Sequence, residues 1–502
     1  MKRPGIAFVF LFFSSTLFAQ PDTKDAPQKP KEWKDGNLSV TKHQVTTTNG
    51  ILNYTATAGY MTIKDEKDTL KANLFFIAYT KDGEGDPSKR PILFSFNGGP
   101  GSSSVWLHMG ALGPKMVVMT EDGNTLPPPY KYADNPNTWL DKADIVFIDP
   151  MMTGFTRPAG KSVQGEFTGY ENDLRFVGDF IRLYLSRYAR WSSPKFIAGE
   201  SYGTTRAAGL SGYLQDRYNL NVNGIILISA ILDFGTVRTD RGNDVPFPLQ
   251  LPTFAATAWY HKKLDSRFSS LSSLLQEVQQ FASGEYAAAL MKGDKISDAE
   301  RNNIINKLHD YTGLSKAYLD QTNLRLYVGR FNKELLRDQG KTVGRLDSRI
   351  TGEDYDNAGD EYDYDASLDI AIYGGYTAAI NDYIKRDLKY DNDLPYEMLT
   401  GRVRPWVNSQ DKYLNVAEVL RSAMVKNPYL KVWICNGYYD MATPYYATDY
   451  VIHHMFLPKD LQKNISFTYY EAGHMMYIHK QSMLKLKKDY DQFMNNVLLD
   501  KF

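Results

Sequence analysis

The pentapeptide Gly199-Glu200-Ser201-Tyr202-Gly203 constrains this chain more than any other stretch. It follows the apolar run Lys195-Phe196-Ile197-Ala198 and precedes residues 204–218, which read as helix. Strand, sharp turn and helix in that order are what a G-x-S-x-G nucleophile elbow requires. So tight a reversal brings neighbouring backbones together and leaves no room for a Cβ at the flanking glycines. The serine is then held at the tip of the turn, and the first N–H groups of the helix are aimed toward it. Five residues recur by chance. The weight of the motif therefore depends on whether the chain also supplies a base, an orienting acid and an oxyanion hole.

The pattern around the elbow is that of a mostly parallel sheet. Residues 91–96 form a continuous apolar run leading into Asn97-Gly98-Gly99-Pro100-Gly101, and 145–148 and 224–228 are equally apolar. Strands that do not alternate are buried on both faces. With a helical pattern at 170–188, they predict an α/β sheet. Upstream, 52–63 and 70–79 flank a charged turn at 64–68 and predict an antiparallel hairpin. From 240 to 404 the chain turns polar and helical, with helices expected at 264–281, 298–311, 316–321, 333–338 and 369–388. The sheet pattern then resumes, with strands at 430–435 and 465–470 and helices at 445–455 and 480–498. The expected organisation is one α/β core, 38–239 and 405–502, interrupted by a helical cap at 240–404. The acidic run at 353–365 lacks the spacing of an EF-hand loop and reads as a solvated loop.

The N-terminus has the layout of a secretory signal peptide. Lys2 and Arg3 precede an apolar run at 6–13, and Ala19 offers a small residue for cleavage before Gln20. The expected order is a signal at 1–19 and a linker at 20–37, which makes the protein exported, periplasmic or secreted. The run is too short to span a bilayer, which takes about 20 apolar residues. A formal net charge of zero over 502 residues gives no basic excess for nucleic acid or an anionic membrane surface. Cys435 is the sole cysteine, so no intramolecular disulfide can form. It sits in an apolar run and reads as a buried small hydrophobe.

A serine nucleophile needs a base. His43 and His108 precede the elbow, His261 and His309 fall in the cap, and His453 and His454 lie in or at the end of a predicted helix. His474 directly follows the strand at 465–470, at the strand-end edge where open α/β sheets carry their sites. The chain order Ser, Asp or Glu, His then asks for an acid on the preceding strand-end loop, and Asp440 occupies it. The oxyanion donors expected are the N–H of Tyr202 and that of Gly99 in the glycine-rich loop. A phosphate-cradling loop is the competing reading of that loop, but no P-loop lysine and no G-x-G-x-x-G spacing follow it.

These residues resemble the serine carboxypeptidase family, a branch of the α/β-hydrolases. The resemblance rests on the block Asn97-Gly98-Gly99-Pro100-Gly101-Ser102-Ser103-Ser104 and the elbow Gly199-Glu200-Ser201-Tyr202-Gly203. Leu112-Gly113-Pro114, residues 135–139, Gly154-Phe155 and Gly473-His474-Met475 add to it. It implies an α/β-hydrolase fold and cleavage of C-terminal residues from peptides through an acyl-enzyme on Ser201, with Asp440 and His474 completing the triad. It implies no cofactor and no metal. It also implies that Asn97, Gly98 and Glu200 bind the substrate carboxylate. Two carboxylates share a site only when one is protonated, which ties binding to low pH. Many members carry a second glutamate where this chain has Ala111. Two alternatives therefore stay open: an esterase or acyltransferase on the same machinery, and a non-catalytic binding protein.

Overall fold

The structure, a computed structural model, describes residues 37–499 apart from 84 and 408–412. The signal expected at 1–19 and all but the last residue of the linker expected at 20–37 lie outside the described residues. The apolar runs become the middle of one ten-stranded sheet. Its strands are β1 (Leu38–Thr47), β2 (Gly50–Lys64), β3 (Leu70–Lys81), β4 (Ile92–Phe96), β5 (Asp144–Ile148), β6 (Lys195–Glu200), β7 (Gly224–Ile228), β8 (Lys431–Gly437) and β9 (Ile465–Tyr470). The two-residue strand Arg157–Pro158 pairs with β3.

Across the sheet the order is β1-β2-β3-β5-β4-β6-β7-β8-β9. The first three strands run antiparallel and join β5 antiparallel; from β5 to β9 every pairing is parallel. Strands β4, β5 and β7 are buried at every residue, which explains their unbroken apolar runs. The register sets Phe96 beside Gly199 and Ile228 beside both Glu200 and Cys435. The loops after β4, β6, β8 and β9 therefore leave from one edge, and the candidate residues ride on them.

Five helices bear on the site: α1 (Tyr170–Arg187), α2 (Tyr202–Tyr218), α3 (Pro246–Tyr260), α4 (Tyr373–Arg386) and α5 (Lys480–Leu499). Helices α1 and α2 cover one face of the sheet, meeting Ile225, Leu227, Val432 and Ile434. On the other face Tyr490 and Phe493 of α5 join Ile226, Trp433 and Trp139. The Tyr490 and Trp139 rings stack at 3.9 Å.

The span 240–404 divides between two packing environments. Side chains from Phe247 to Val343 form a cluster largely their own, centred on α3. Helix α4 does not join it. Its Tyr376, Ile380 and Tyr383 pack with Tyr60, Tyr79 and Leu107 into the core on the sheet. The acidic run at 353–365 is not simply solvated. The Asp354 side chain is buried against Lys333 at 2.5 Å, and Asp360 pairs with Arg330 at 3.1 Å.

Candidate active site

Ser201 stands between β6 and α2 with φ 58° and ψ −129°, a conformation that costs a non-glycine residue about 1–3 kcal/mol. Its surroundings over-determine it. The Ser201 N–H donates to Ile228 O at 3.0 Å. A Cβ on Gly199 would lie 2.1 Å from Gly203 O, and one on Gly98 would lie 2.4 Å from Tyr202 N. The glycine-rich loop after β4 is thus pressed against the elbow backbone. Buried Arg206 holds the two together, donating to Asn97 O at 2.7 Å and pairing with Asp173 at 2.7 Å. The close approach brings the Gly98-Gly99 backbone alongside the start of α2, where first-turn N–H groups lack intrahelical acceptors.

His474 and Asp440 meet as their strand-end positions predict. Nδ1 of His474 lies 2.7 Å from Asp440 Oδ2, and both side chains are buried. Asp440 Oδ1 accepts from the Ala442 and Thr443 N–H groups at 2.8 and 3.0 Å, and Oδ2 also accepts the Thr443 hydroxyl at 2.7 Å. The carboxylate thus orients the imidazole and ties down its own loop. Burial by itself would lower the His474 pKa; the Asp440 charge and hydrogen bond outweigh it and raise the ring above its ordinary value. The His474 N–H donates to Leu346 O at 2.6 Å, so the segment after Val343 braces the site.

Glu200 is buried beside this pair. Asn97 Nδ2 donates to its Oε1 at 3.0 Å and Tyr477 donates its hydroxyl to Oε2 at 2.5 Å. Burial pushes its carboxyl up to about 7, against the His474 charge and the Tyr477 bond, which pull it down. Ala111 is buried, and no second carboxylate stands there. Two tyrosines occupy that side: a Cβ on neighbouring Gly110 would lie 2.5 Å from both the Tyr376 hydroxyl and the Tyr477 ring. The Tyr376 hydroxyl is buried without a hydrogen-bond partner among the described residues.

Gly98, Glu200, Ser201 and His474 line one cavity of about 510 Å³. Ser201 and Gly99 also line a second cavity of about 270 Å³, with Tyr202, Ile231, Phe234 and Thr443. Ser201 therefore lines both recesses. No cluster of three metal-binding side chains occurs among the described residues. Sequence reasoning missed Tyr477, Tyr376, Thr443 and Arg206. Tyr477, three residues past His474, had a local signal; Tyr376 comes from α4 and had none.

The sequence model of the serine carboxypeptidase family matches residues 46–490. Carboxypeptidase Y of Schizosaccharomyces pombe is 32% identical over 146 residues, covering 29% of this chain and 13% of that protein. Carboxypeptidase Y of Saccharomyces cerevisiae is 28% identical over 154 residues, 30% of this chain and 25% of that one. A serine carboxypeptidase S10 family member of Dictyostelium discoideum is 25% identical over 302 residues, 57% and 46%. The matched stretches span less than half the length of these relatives. Among solved structures, Kex1(delta)p of Saccharomyces cerevisiae, described as a prohormone-processing carboxypeptidase, superposes with a TM-score of 0.54 at 18% identity, covering 88% of this chain and 91% of that one. This likeness shows the α/β fold.

Proposed function

We propose that this chain, which belongs to the serine carboxypeptidase family, hydrolyses peptides at their C-terminus through an acyl-enzyme on Ser201. In this reading the His474 ring takes the Ser201 hydroxyl proton as Oγ attacks the scissile carbonyl. Asp440 holds the ring tautomer and stabilises the imidazolium. The tetrahedral oxyanion is received by the N–H groups of Gly99 and Tyr202. His474 then protonates the leaving amine, and water attacks the acyl-enzyme by the same route in reverse.

The observation that carries the reading is Glu200, held between Asn97 and Tyr477 on the wall of the His474 cavity. A carboxyl with a pKa of about 7 is neutral in mild acid and can donate a proton to a substrate carboxylate, beside the Asn97 side chain and the Gly98 N–H. A generic esterase has no use for such a group. Profiling a mixed peptide library for C-terminal trimming between about pH 4 and 8 tests it. If blocked dipeptides stay intact at every pH while esters are cleaved, the peptidase reading is lost.

Ala111 favours one second reading, an esterase or acyltransferase on the same triad, because carboxylate capture rests on Glu200 alone. We also propose export through the segment at 1–19. Among the described residues no helix is long and apolar enough to cross a membrane.

A further inference from the structure

The two recesses around Ser201 share a charged rim. Arg238 and Arg345 line both cavities, and Arg404 lines the larger. All three are exposed, and none forms an ion pair among the described residues. Other arginines of the same span behave differently: Arg325, Arg330, Arg337 and Arg349 each hold a carboxylate at 2.5–3.1 Å. Glu200 is the one acidic residue on either cavity wall, and a carboxyl with a pKa of about 7 leaves that wall without a negative charge in mild acid. The rim is therefore a concentration of positive charge facing the scissile bond.

Arg345 is held in place by the site itself. Its carbonyl accepts from Met441 N–H at 3.1 Å, the residue after Asp440, and the next carbonyl, of Leu346, accepts from His474 N–H. Its own N–H bonds Asp365 Oδ1 at 3.0 Å, an oxygen that also receives the Ser367 N–H and hydroxyl. Arg238 follows the turn Phe234–Thr236, donating its N–H to Phe234 O at 3.1 Å, while its carbonyl accepts Asn243 Nδ2 at 2.7 Å. Both guanidiniums thus project from anchored backbone. Guanidinium forks bind carboxylates in preference to neutral amides of the same shape.

We propose that the site selects peptides whose residues flanking the scissile bond carry acidic side chains, Asp or Glu. This rests on the carboxypeptidase reading for its substrate class, but the charge preference is separable from the chemistry. The side chains of the leaving residue and the one before it enter the two recesses and meet Arg345 and Arg238, with Arg404 on the leaving side. Electrostatic attraction to the rim also steers acidic peptides in from solution.

The test uses the full chain with Ser201→Ala and two peptides of equal length, ending in Ala-Glu-Glu or Ala-Gln-Gln. Calorimetric affinities are compared at low and high salt, and again with Arg238→Ala and Arg345→Ala added together. The acidic peptide is expected to bind roughly tenfold tighter at low salt, as two partly exposed guanidinium–carboxylate pairs supply. That margin shrinks in high salt and falls to near parity in the double arginine variant. Equal affinity for the two peptides overturns the proposal. So does an equal loss for both on removing the arginines, which assigns them to the terminal carboxylate. The salt series reads the preference even without the arginine variants. Wild-type protein that cleaves neither peptide, while the Ser201→Ala protein still prefers the acidic one, sinks the peptidase reading and leaves this inference standing.

Discussion

Tyr477 donates its hydroxyl to Glu200 Oε2 at 2.5 Å, from three residues beyond the imidazole of His474. One short segment after β9 therefore carries both the candidate base and the group that poises the candidate carboxylate reader. The bond favours the ionised form of Glu200, while burial favours the neutral one and prevails. Tyr477 thus sets how far above the ordinary carboxylate range Glu200 titrates.

Removing that hydroxyl moves the balance. In Tyr477→Phe the Glu200 pKa rises further, by up to about one unit for the loss of a hydrogen bond to a charged acceptor. The pH at which peptide KM begins to climb should move up accordingly, with ester KM unaffected. An unmoved pH profile would show that Tyr477 is only packing.

Glu200 itself is expected to set the alkaline limit of peptide binding. Below about pH 7 it is neutral and can donate; above, it is ionised and repels a substrate carboxylate. Wild-type KM for peptides should then rise roughly tenfold per pH unit on the alkaline side. Glu200→Gln stays neutral at all pH, so its KM should be flat from about pH 5 to 9. A KM that climbs equally in the variant assigns the ionisation elsewhere.

Asp440→Asn should leave the fold intact and the enzyme nearly dead. The amide oxygen can still accept from the Ala442 and Thr443 N–H groups, but its NH₂ then faces His474 Nδ1 and selects the wrong tautomer. A fall in kcat of about 10⁴ is expected, with an unchanged circular dichroism spectrum. Activity within tenfold of wild type removes Asp440 from the triad.

Ser201 holds its conformation at a cost, which sets stability against activity. Ser201→Ala keeps the Cβ and the strain and should lose turnover with little change in stability. Ser201→Gly lifts the strain and should be more stable than Ser201→Ala by about 1 kcal/mol, after the entropy cost of glycine. Urea denaturation of the two proteins decides it; equal midpoints mean the elbow is relaxed.

Away from the site, Asp144 ties the sheet to two buried arginines. At the start of β5 it pairs with the buried Arg190 at 2.6 Å and the buried Arg90 at 2.7 Å, and it accepts the N–H of Lys81 at the end of β3 at 3.0 Å. Asp144→Ala leaves two cations without their carboxylate and should cost about 3–5 kcal/mol. Asp216→Ala, which breaks an exposed pair with Lys426, serves as the control and should barely move the midpoint.

What the sequence made legible was local. Ser201 follows β6 at once, while Asp440 and His474 lie on the loops after β8 and β9, so chain order and strand pattern were enough to name the three as candidates. The hairpin of β2 and β3 was equally plain. Strand β1 escaped because it is an edge strand whose side chains alternate between exposed and half-buried, with Val45 alone wholly buried. Helix α3 escaped because Pro246, Pro248 and Pro252 read as breakers, and because residues 246–258 are all buried and show no polar face. Two of the prolines sit in the first turn, where a missing N–H costs nothing.

The surroundings of Glu200 were only half legible. Asn97 came with the glycine-rich block, but Tyr376 reaches the site from 176 positions downstream, through a packing decision made by the whole of α4. The same reason hid the arginine rim. Arg238 stands just before the expected cap and Arg345 and Arg404 within it, and only the fold gathers them around one serine.

The return of the chain to the sheet at α4 bears on how this protein could be re-engineered. A lid exchanged between relatives would have its natural seams near Pro246 and Val343, where the separate cluster begins and ends. A graft cut at 404 would take Tyr376 along with the lid. The recipient would then keep its serine, histidine and aspartate but inherit a stranger's wall beside Glu200. On the carboxypeptidase reading, recognition of the peptide C-terminus would then suffer before hydrolysis does.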